Sequence, residues 1–255
     1  MGDGDPGPLS RRARGAAHAL RDLLLPLVCA ACARPLDAGE PGIVCGRCWS
    51  RLALLPHPLC PRCGHPRTRP ECAWCELLPP FVRAARSVAW VHRGTGQAIV
   101  YALKYRGWHA VAAGMADRMA RIPWPADVVR ERAALVPVPL AAGRERERGY
   151  NQSERLARAL AVHWDVPVWA HAVERIRHTT TQTRLTPEQR LVNVSGAFGA
   201  PEVARAALRR SHVVLVDDVV TTAATLNACA AALHAAGARV ISFVTFGRAP
   251  AVGDR

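Results

Sequence analysis

The chain has 255 residues, is 50% hydrophobic by count and carries a net charge of +14. That content suffices for one large domain or two smaller ones with a proper core, and no stretch reaches the roughly 18 apolar residues needed to span a bilayer. The positive balance favours anionic partners such as phosphorylated small molecules, nucleic acid or acidic lipid surfaces.

Residues 1–28 read as a leader and a short amphipathic helix. Ala16 to Val28 follows a basic start, but Arg21 and Asp22 interrupt its apolar run. No small-residue cleavage site follows, so a signal peptide is not expected and a cytoplasmic protein is. Of 34 Lys and Arg residues, only Lys104 is lysine. Arginine suits bidentate phosphate recognition; Arg11, Arg12 and Arg14 read as a solvated face.

Residues 29–78 hold eight of the nine cysteines as four CxxC pairs, Cys29/Cys32, Cys45/Cys48, Cys60/Cys63 and Cys72/Cys75. The gaps between pairs hold 12, 11 and 8 residues. Two knuckles at such separations place four thiolates around Zn²⁺. Gly46, Pro61 and Gly64 supply turn chemistry there. Sequential pairing gives ribbons over 29–48 and 60–75; an interleaved arrangement, first pair with third, also fits the spacing. Four Cys ligands leave no open position, so two structural Zn²⁺ are expected, supplying much of the folding free energy of a segment with little core. A disulfide framework is the competing reading, and nothing in the sequence suggests the secretion it would need. His57 and His65 are surplus to these sets and read as solvated. Trp49, Trp74 and His65 could stack bases, although a Trp at a zinc knuckle more often packs a small core.

Residues 79–255, beyond the Leu77-Leu78-Pro79-Pro80 exit, alternate strand and helix patterns. Strands are expected over 87–92, 133–138, 166–173, 195–200, 213–216 and 240–246, and helices over 94–106, 109–121, 151–164 and 226–236, with a linker over 122–126. This order argues for an α/β fold with a mainly parallel sheet covered on both faces. Cys229 reads as a buried small residue rather than a nucleophile.

The most informative stretch is Val213 to Thr225, VVLVDDVVTTAAT. A buried strand ends in two acids, then a small hydroxyl-rich loop opens an alanine-rich helix. Ligand sites in open α/β sheets lie beyond the carboxyl ends of strands. A helix N-terminus with Thr hydroxyls suits a phosphate, whereas ionised Asp217 and Asp218 accept hydrogen bonds and suit vicinal ribose hydroxyls. The competing reading is an ordinary strand–turn–helix with a solvated acid pair.

Two further segments carry candidates. The strand ending Pro137-Val138-Pro139-Leu140 runs into an Arg/Glu stretch and then Arg148-Gly149-Tyr150-Asn151-Gln152. Arginines beside a Gly turn and a helix start suit a diphosphate, and this Gly, aromatic and amide pair have little structural need of one another. For Arg144 to Glu147, an exposed run of self-pairing charges is an equal reading. Residues 175–193 form a long, polar, basic stretch of the kind that is usually functional or disordered. Gln182, Arg184, Arg190 and Asn193 stand out in it.

The stretch at 213–225 resembles the phosphoribosyl pyrophosphate (PRPP) motif of type I phosphoribosyltransferases. The resemblance implies that Asp217 and Asp218 hold the ribose 2′ and 3′ hydroxyls while Thr221, Thr222, Ala223, Ala224 and Thr225 cradle the 5′-phosphate. It also implies a pyrophosphate loop near Arg148, Gly149 and Asn151, and a mobile loop over PRPP with Gln182, Arg184 and Arg190. One position departs: Gly usually stands where this chain has Ala223. Either the loop keeps a negative φ there, or phosphate binding is weakened by an Ala at positive φ.

Taken with the four CxxC pairs, Tyr101-Ala-Leu-Lys104-Tyr-Arg-Gly107, PVPL, RGYNQ and the 175–193 loop, the chain from about residue 22 to 247 resembles the ComF family (ComFC-type proteins). The resemblance implies a double zinc ribbon ahead of a phosphoribosyltransferase-like domain, with Lys104 inside a family motif. It implies two functions. One is binding of PRPP or a related ribose 5-phosphate ligand with Mg²⁺, and transfer to a nitrogen nucleophile. The alternative is a competence or DNA-uptake factor that binds single-stranded DNA and works with a competence helicase. A scaffold docking a protein through its zinc module is a third reading. No residue of the chain is singled out as catalytic.

Overall fold

The computed structural model describes residues 27–37, 39–40, 42–67, 72–105, 107–177 and 196–250. In chain order the regular elements are α1 (Gly46–Ser50), β1 (Val82–Trp90), α2 (Gly94–Tyr105), α3 (Val111–Ala120), α4 (Ala126–Glu131), β2 (Arg132–Pro137), α5 (Ala142–Arg148) and α6 (Gln152–Trp164). There follow β3 (Glu174–Arg175), β4 (Phe198–Gly199), α7 (Arg205–Leu208), β5 (His212–Val220), α8 (Ala224–Ala235) and β6 (Val240–Arg248).

Strands β1, β6, β5 and β2 form one parallel sheet in that order, with β5 and β6 central. Their sequences explain the placement. Val213 to Val216 are all fully buried, as the continuous apolar run of a strand covered on both faces requires. Side chains alternate across a strand, so Val214 and Val216 face one core and Val213 and Leu215 the other. On the first face they join Val244 and Phe246 under Ile99, Leu103, Met115, Met119, Leu156 and Leu160 from α2, α3 and α6. On the second face Ile241 and Phe243 meet Leu226, Cys229 and Leu233 of α8. Cys229 is therefore the buried small residue its position implied.

The cysteine ribbons are built into these same cores. Cys29, Val44, Cys48 and Leu52 belong to the first face, and Cys60, Cys63 and Leu78 to the second. Trp49 packs edge-on to Phe246, with ring centroids 6.2 Å apart, and lies on α3 at Gly114. A Cβ on Gly114 would stand 2.7 Å from its Cζ2. The Arg118 guanidinium covers the ring at 3.5 Å. Trp49 thus packs rather than offering a stacking face. His65 is buried, not solvated: it stacks on Trp74 at 5.0 Å and meets Trp90 edge-on at 5.8 Å. His57 is exposed, as expected.

Other expectations shift. The strand expected over 166–173 shrinks to a single parallel bridge, Val168 beside Leu135, because the chain turns away at Trp169 to Ala172. The linker ends at Pro125, which precedes α4. The Arg/Glu stretch is helical, forming α5. Strand β5 continues through the acid pair to Val220 because β6 continues beside it to Arg248. Among the described residues, no helix is long and apolar enough to cross a membrane.

Candidate functional site

The metal centres follow the sequential pairing. Cys29, Cys32, Cys45 and Cys48 converge in one group and Cys60, Cys63, Cys72 and Cys75 in the other, with the sulfurs of each group within 4.8 Å of one another. The Cys60–Cys75 and Cys63–Cys72 sulfur pairs are 3.4 Å apart, and Cys32–Cys45 4.0 Å. A tetrahedral Zn–S distance of about 2.3 Å implies sulfur separations of about 3.8 Å, so both sets fit Zn²⁺. The backbone N–H of Arg34 draws the Cys32 thiol down to about 6, whereas burial pushes Cys48 and Cys63 up. The second centre lies among arginines: Arg62 bonds the carbonyls of Cys75, Leu78 and Pro79, and Arg86 bonds those of Pro61 and Arg62. A Zn(Cys)₄ centre carries two negative charges, which balances this setting.

The acid pair lies near the carboxyl end of β5, beside the ends of β2 and β6. Asp218 is buried, and its Oδ2 is 2.6 Å from Lys104 Nζ, at the last turn of α2. Asp217 Oδ1 accepts from Ser153 Oγ at 2.8 Å and from the Asp218 N–H at 2.9 Å. Burial, with the neighbouring Asp218 charge, pushes the Asp217 carboxyl up to about 7; Lys104 and the Ser153 bond pull the other way. Burial disfavours the Lys104 ammonium, but attraction and hydrogen bonding to Asp218 outweigh it, so its pKa stands above the ordinary value. One lysine thus offsets part of the repulsion between two adjacent carboxylates, of which Asp218 is buried.

After the acids, Thr221 to Ala223 turn the chain into α8. Ala223 has φ 60° and ψ 6°, in the left-handed region. Of the two expectations for this position, the structure selects the positive φ. The Asn227 N–H donates to the Ala223 carbonyl at 2.8 Å, closing the first turn. The Thr222 hydroxyl is buried without a hydrogen-bond partner among the described residues, and such an orphan points to a ligand or ordered water.

The RGYNQ residues have structural duties that sequence reasoning denied them. Gly149 takes φ 79° and ends α5. The Tyr150 hydroxyl donates to the Leu103 carbonyl on α2. Asn151 caps α6 by accepting from the Ser153 N–H at 2.9 Å, and its Nδ2 donates to the Val138 carbonyl at 3.0 Å. Arg148 donates to the Gln152 side chain, and its guanidinium is 5.1 Å from the Tyr105 ring. The motif wires β2, α2 and α6 together and delivers Ser153 to Asp217. Ser153 was not anticipated; its only signal was its place directly after the motif.

Beyond β2 lies an open cavity of about 350 Å³, lined by Leu140, Glu145, Asn151, Glu154 and Arg175 among others. Asn151 reaches it; Arg148 and Gly149 are not among its lining residues. Burial lowers the pKa of Arg175, and Asp217 is among the charges that act on it. Gln182, Arg184, Arg190 and Asn193 lie outside the described residues.

Comparisons with known proteins agree with this architecture. A double zinc ribbon domain matches residues 20–78, and a phosphoribosyl transferase domain matches residues 147–253. The chain is 32% identical over 232 residues to "DNA utilization protein YhgH" of Salmonella typhi, covering 86% of this chain and 96% of that one. It is 37% identical over 116 residues to "Competence protein F" of Haemophilus influenzae, covering 46% and 50%. It is 28% identical over 213 residues to "Competence protein ComFC" of Bacillus subtilis, covering 78% and 82%. Two four-cysteine ribbons ahead of a parallel-sheet phosphoribosyl transferase domain, with these relatives, place the chain in the ComF family.

Proposed function

We propose that the chain binds PRPP, or a related ribose 5-phosphate ligand, at the end of β5 and transfers its phosphoribosyl group to a nitrogen nucleophile. The observation that carries this reading is the placement of Asp217 and Asp218 directly ahead of the left-handed Ala223 turn and the N-terminus of α8. Ionised carboxylates accept from the ribose 2′ and 3′ hydroxyls. The amides of the turn and the hydroxyls of Thr221, Thr222 and Thr225 take the 5′-phosphate at the positive end of the helix. Mg²⁺ bound with PRPP would neutralise charge on the diphosphate. The C1′–O bond then breaks and its electron pair leaves with pyrophosphate. The acceptor nitrogen forms the new C1′–N bond, and its proton passes to solvent. Arg175 and the basic loop after it stabilise the departing charge. The test is calorimetric titration of PRPP with Mg²⁺, followed by pyrophosphate release assays with amine acceptors.

One observation favours a second activity beside the first. Tyr101 and Tyr105 on α2 are 51% and 58% exposed, with ring centroids 4.9 Å apart. Paired exposed rings beside an arginine suit the bases of a single strand, and the relatives' names concern DNA utilization and competence. In this reading the protein works in the cytoplasm with a competence helicase on incoming single-stranded DNA. Strong salt dependence of DNA binding is its signature.

A further inference from the structure

We propose that the second zinc ribbon, held by Cys60, Cys63, Cys72 and Cys75, positions the ligand loop 221–225, with Asn227 as the linking residue. The two ribbons are then unequal: the first supports the sheet face covered by α2, α3 and α6, and the second sets the geometry of the site. The ligand readout below rests on the PRPP reading; the exchange readout does not.

Three contacts carry the inference. Asn227 holds both partners at once. Its backbone N–H binds the Ala223 carbonyl at 2.8 Å, and its Nδ2 donates to the Leu77 carbonyl at 2.6 Å, two residues past Cys75. Arg248 clamps the adjacent strand end. It pairs in register with Val220, just ahead of the loop, while its Nη2 donates to the Cys63 carbonyl at 2.7 Å. Between these clamps a narrow cleft brings Val220, Ala223 and Leu226 against Cys63, Trp74 and Leu78. Ala223 itself belongs to the buried cluster that contains Cys60 and Cys63.

The strain at Ala223 shows why such support is needed. A non-glycine residue in the left-handed region costs roughly 1–2 kcal/mol and persists where its surroundings over-determine it. The methyl of Ala223 is seated in the cleft beneath the ribbon. The ribbon in turn has little core of its own, so its shape depends on the metal. Gly64 completes the fit on the sheet side: a Cβ there would stand 2.4 Å from the Ala85 carbonyl oxygen. The first ribbon has a different floor, with Trp49 on Gly114 and Phe246.

The test compares Asn227→Ala with Trp49→Leu in the full chain, reading zinc content, hydrogen exchange of the 221–226 amides, and PRPP affinity with Mg²⁺. Asn227→Ala is expected to keep two zinc ions per chain and to speed exchange of the loop amides about tenfold. It is expected to weaken PRPP by about fivefold to tenfold, the range of one lost hydrogen bond. Alanine is the better helix former, so a purely helical effect would slow exchange in α8 instead. Trp49→Leu is expected to leave loop exchange unchanged. Unchanged loop exchange in Asn227→Ala, or equal acceleration in both variants, overturns the proposal. Absence of PRPP binding by the unaltered protein would refute the ligand reading alone, since the exchange comparison still decides the positioning role.

Discussion

Lys104 and Asp218 form an ion pair, Nζ to Oδ2 at 2.6 Å with the Asp218 end buried, that joins the end of α2 to the acid pair of β5. The lone lysine of the chain is the cation that offsets the repulsion between Asp217 and the buried Asp218. Its removal should therefore act on the carboxylates before it acts on any ligand.

Asp217 is raised to about 7 by burial and by Asp218. It gains its negative charge as pH rises through that value, and only the charged form is a pure acceptor for a ribose hydroxyl. Affinity for PRPP should rise about tenfold between pH 6 and pH 8 on this account. Lys104→Met removes a charge that lowers Asp217, so the midpoint should move above 7. The ratio of variant to unaltered affinity at each pH cancels the ligand's own titration. A ratio that stays constant across pH would refute the coupling.

Ala223 already adopts the geometry that a glycine would give, so its strain should fall on folding, and the weaker phosphate binding expected of a positive φ here should not follow. Ala223→Gly relieves roughly 1–2 kcal/mol of left-handed strain, but it loses a buried methyl worth about 0.8 kcal/mol and loosens the unfolded chain by roughly 0.4–1 kcal/mol. Thermal denaturation should show a stability change below about 1 kcal/mol. PRPP affinity should change less than about threefold, the shift that 0.7 kcal/mol produces. A much larger gain in affinity would mean that the alanine impairs the loop.

The Tyr101–Tyr105 pair makes a separable claim. Tyr101→Ala with Tyr105→Ala should weaken single-stranded DNA binding at least about tenfold, since stacking contributes roughly 1–3 kcal/mol per base. PRPP affinity should hold, and phenylalanine at both positions should restore DNA binding. Fluorescence anisotropy with a short oligonucleotide reads this directly; undiminished binding in the alanine pair would remove the platform.

Gly114 lies inside α3, where alanine would ordinarily stabilise by about 1 kcal/mol. Here the added Cβ meets the rigid Trp49 ring at 2.7 Å, and such overpacking costs roughly 1–3 kcal/mol. Gly114→Ala should therefore lower the melting temperature. A rise would show that the first ribbon yields easily.

The zinc knuckles, the parallel sheet and the acid pair were legible because each rests on local spacing: CxxC, a continuous apolar strand, two adjacent aspartates. Sequence could not pair the knuckles, because spacing permits both arrangements; the two opposite sheet faces separate them. The partner of Lys104 was hidden by its distance along the chain from Asp218, as was Asn227's reach to Leu77. His65 was misread for the same reason, since nothing local shows that Trp74 and Trp90 enclose it. The structural duties of Tyr150 and Asn151 were hidden because their carbonyl partners, Leu103 and Val138, are invisible without the fold. The sign of φ at Ala223 was open because neighbours distant in sequence decide whether strain is tolerated.

The most direct measurement is a calorimetric titration of PRPP with Mg²⁺ into the unaltered protein and into the Asp217→Asn, Asp218→Asn double variant, with folding of both checked by thermal denaturation. Saturable binding to the first and none to the folded double variant is the predicted result. Equal affinity in the two proteins would contradict the assignment of the acid pair to the ribose.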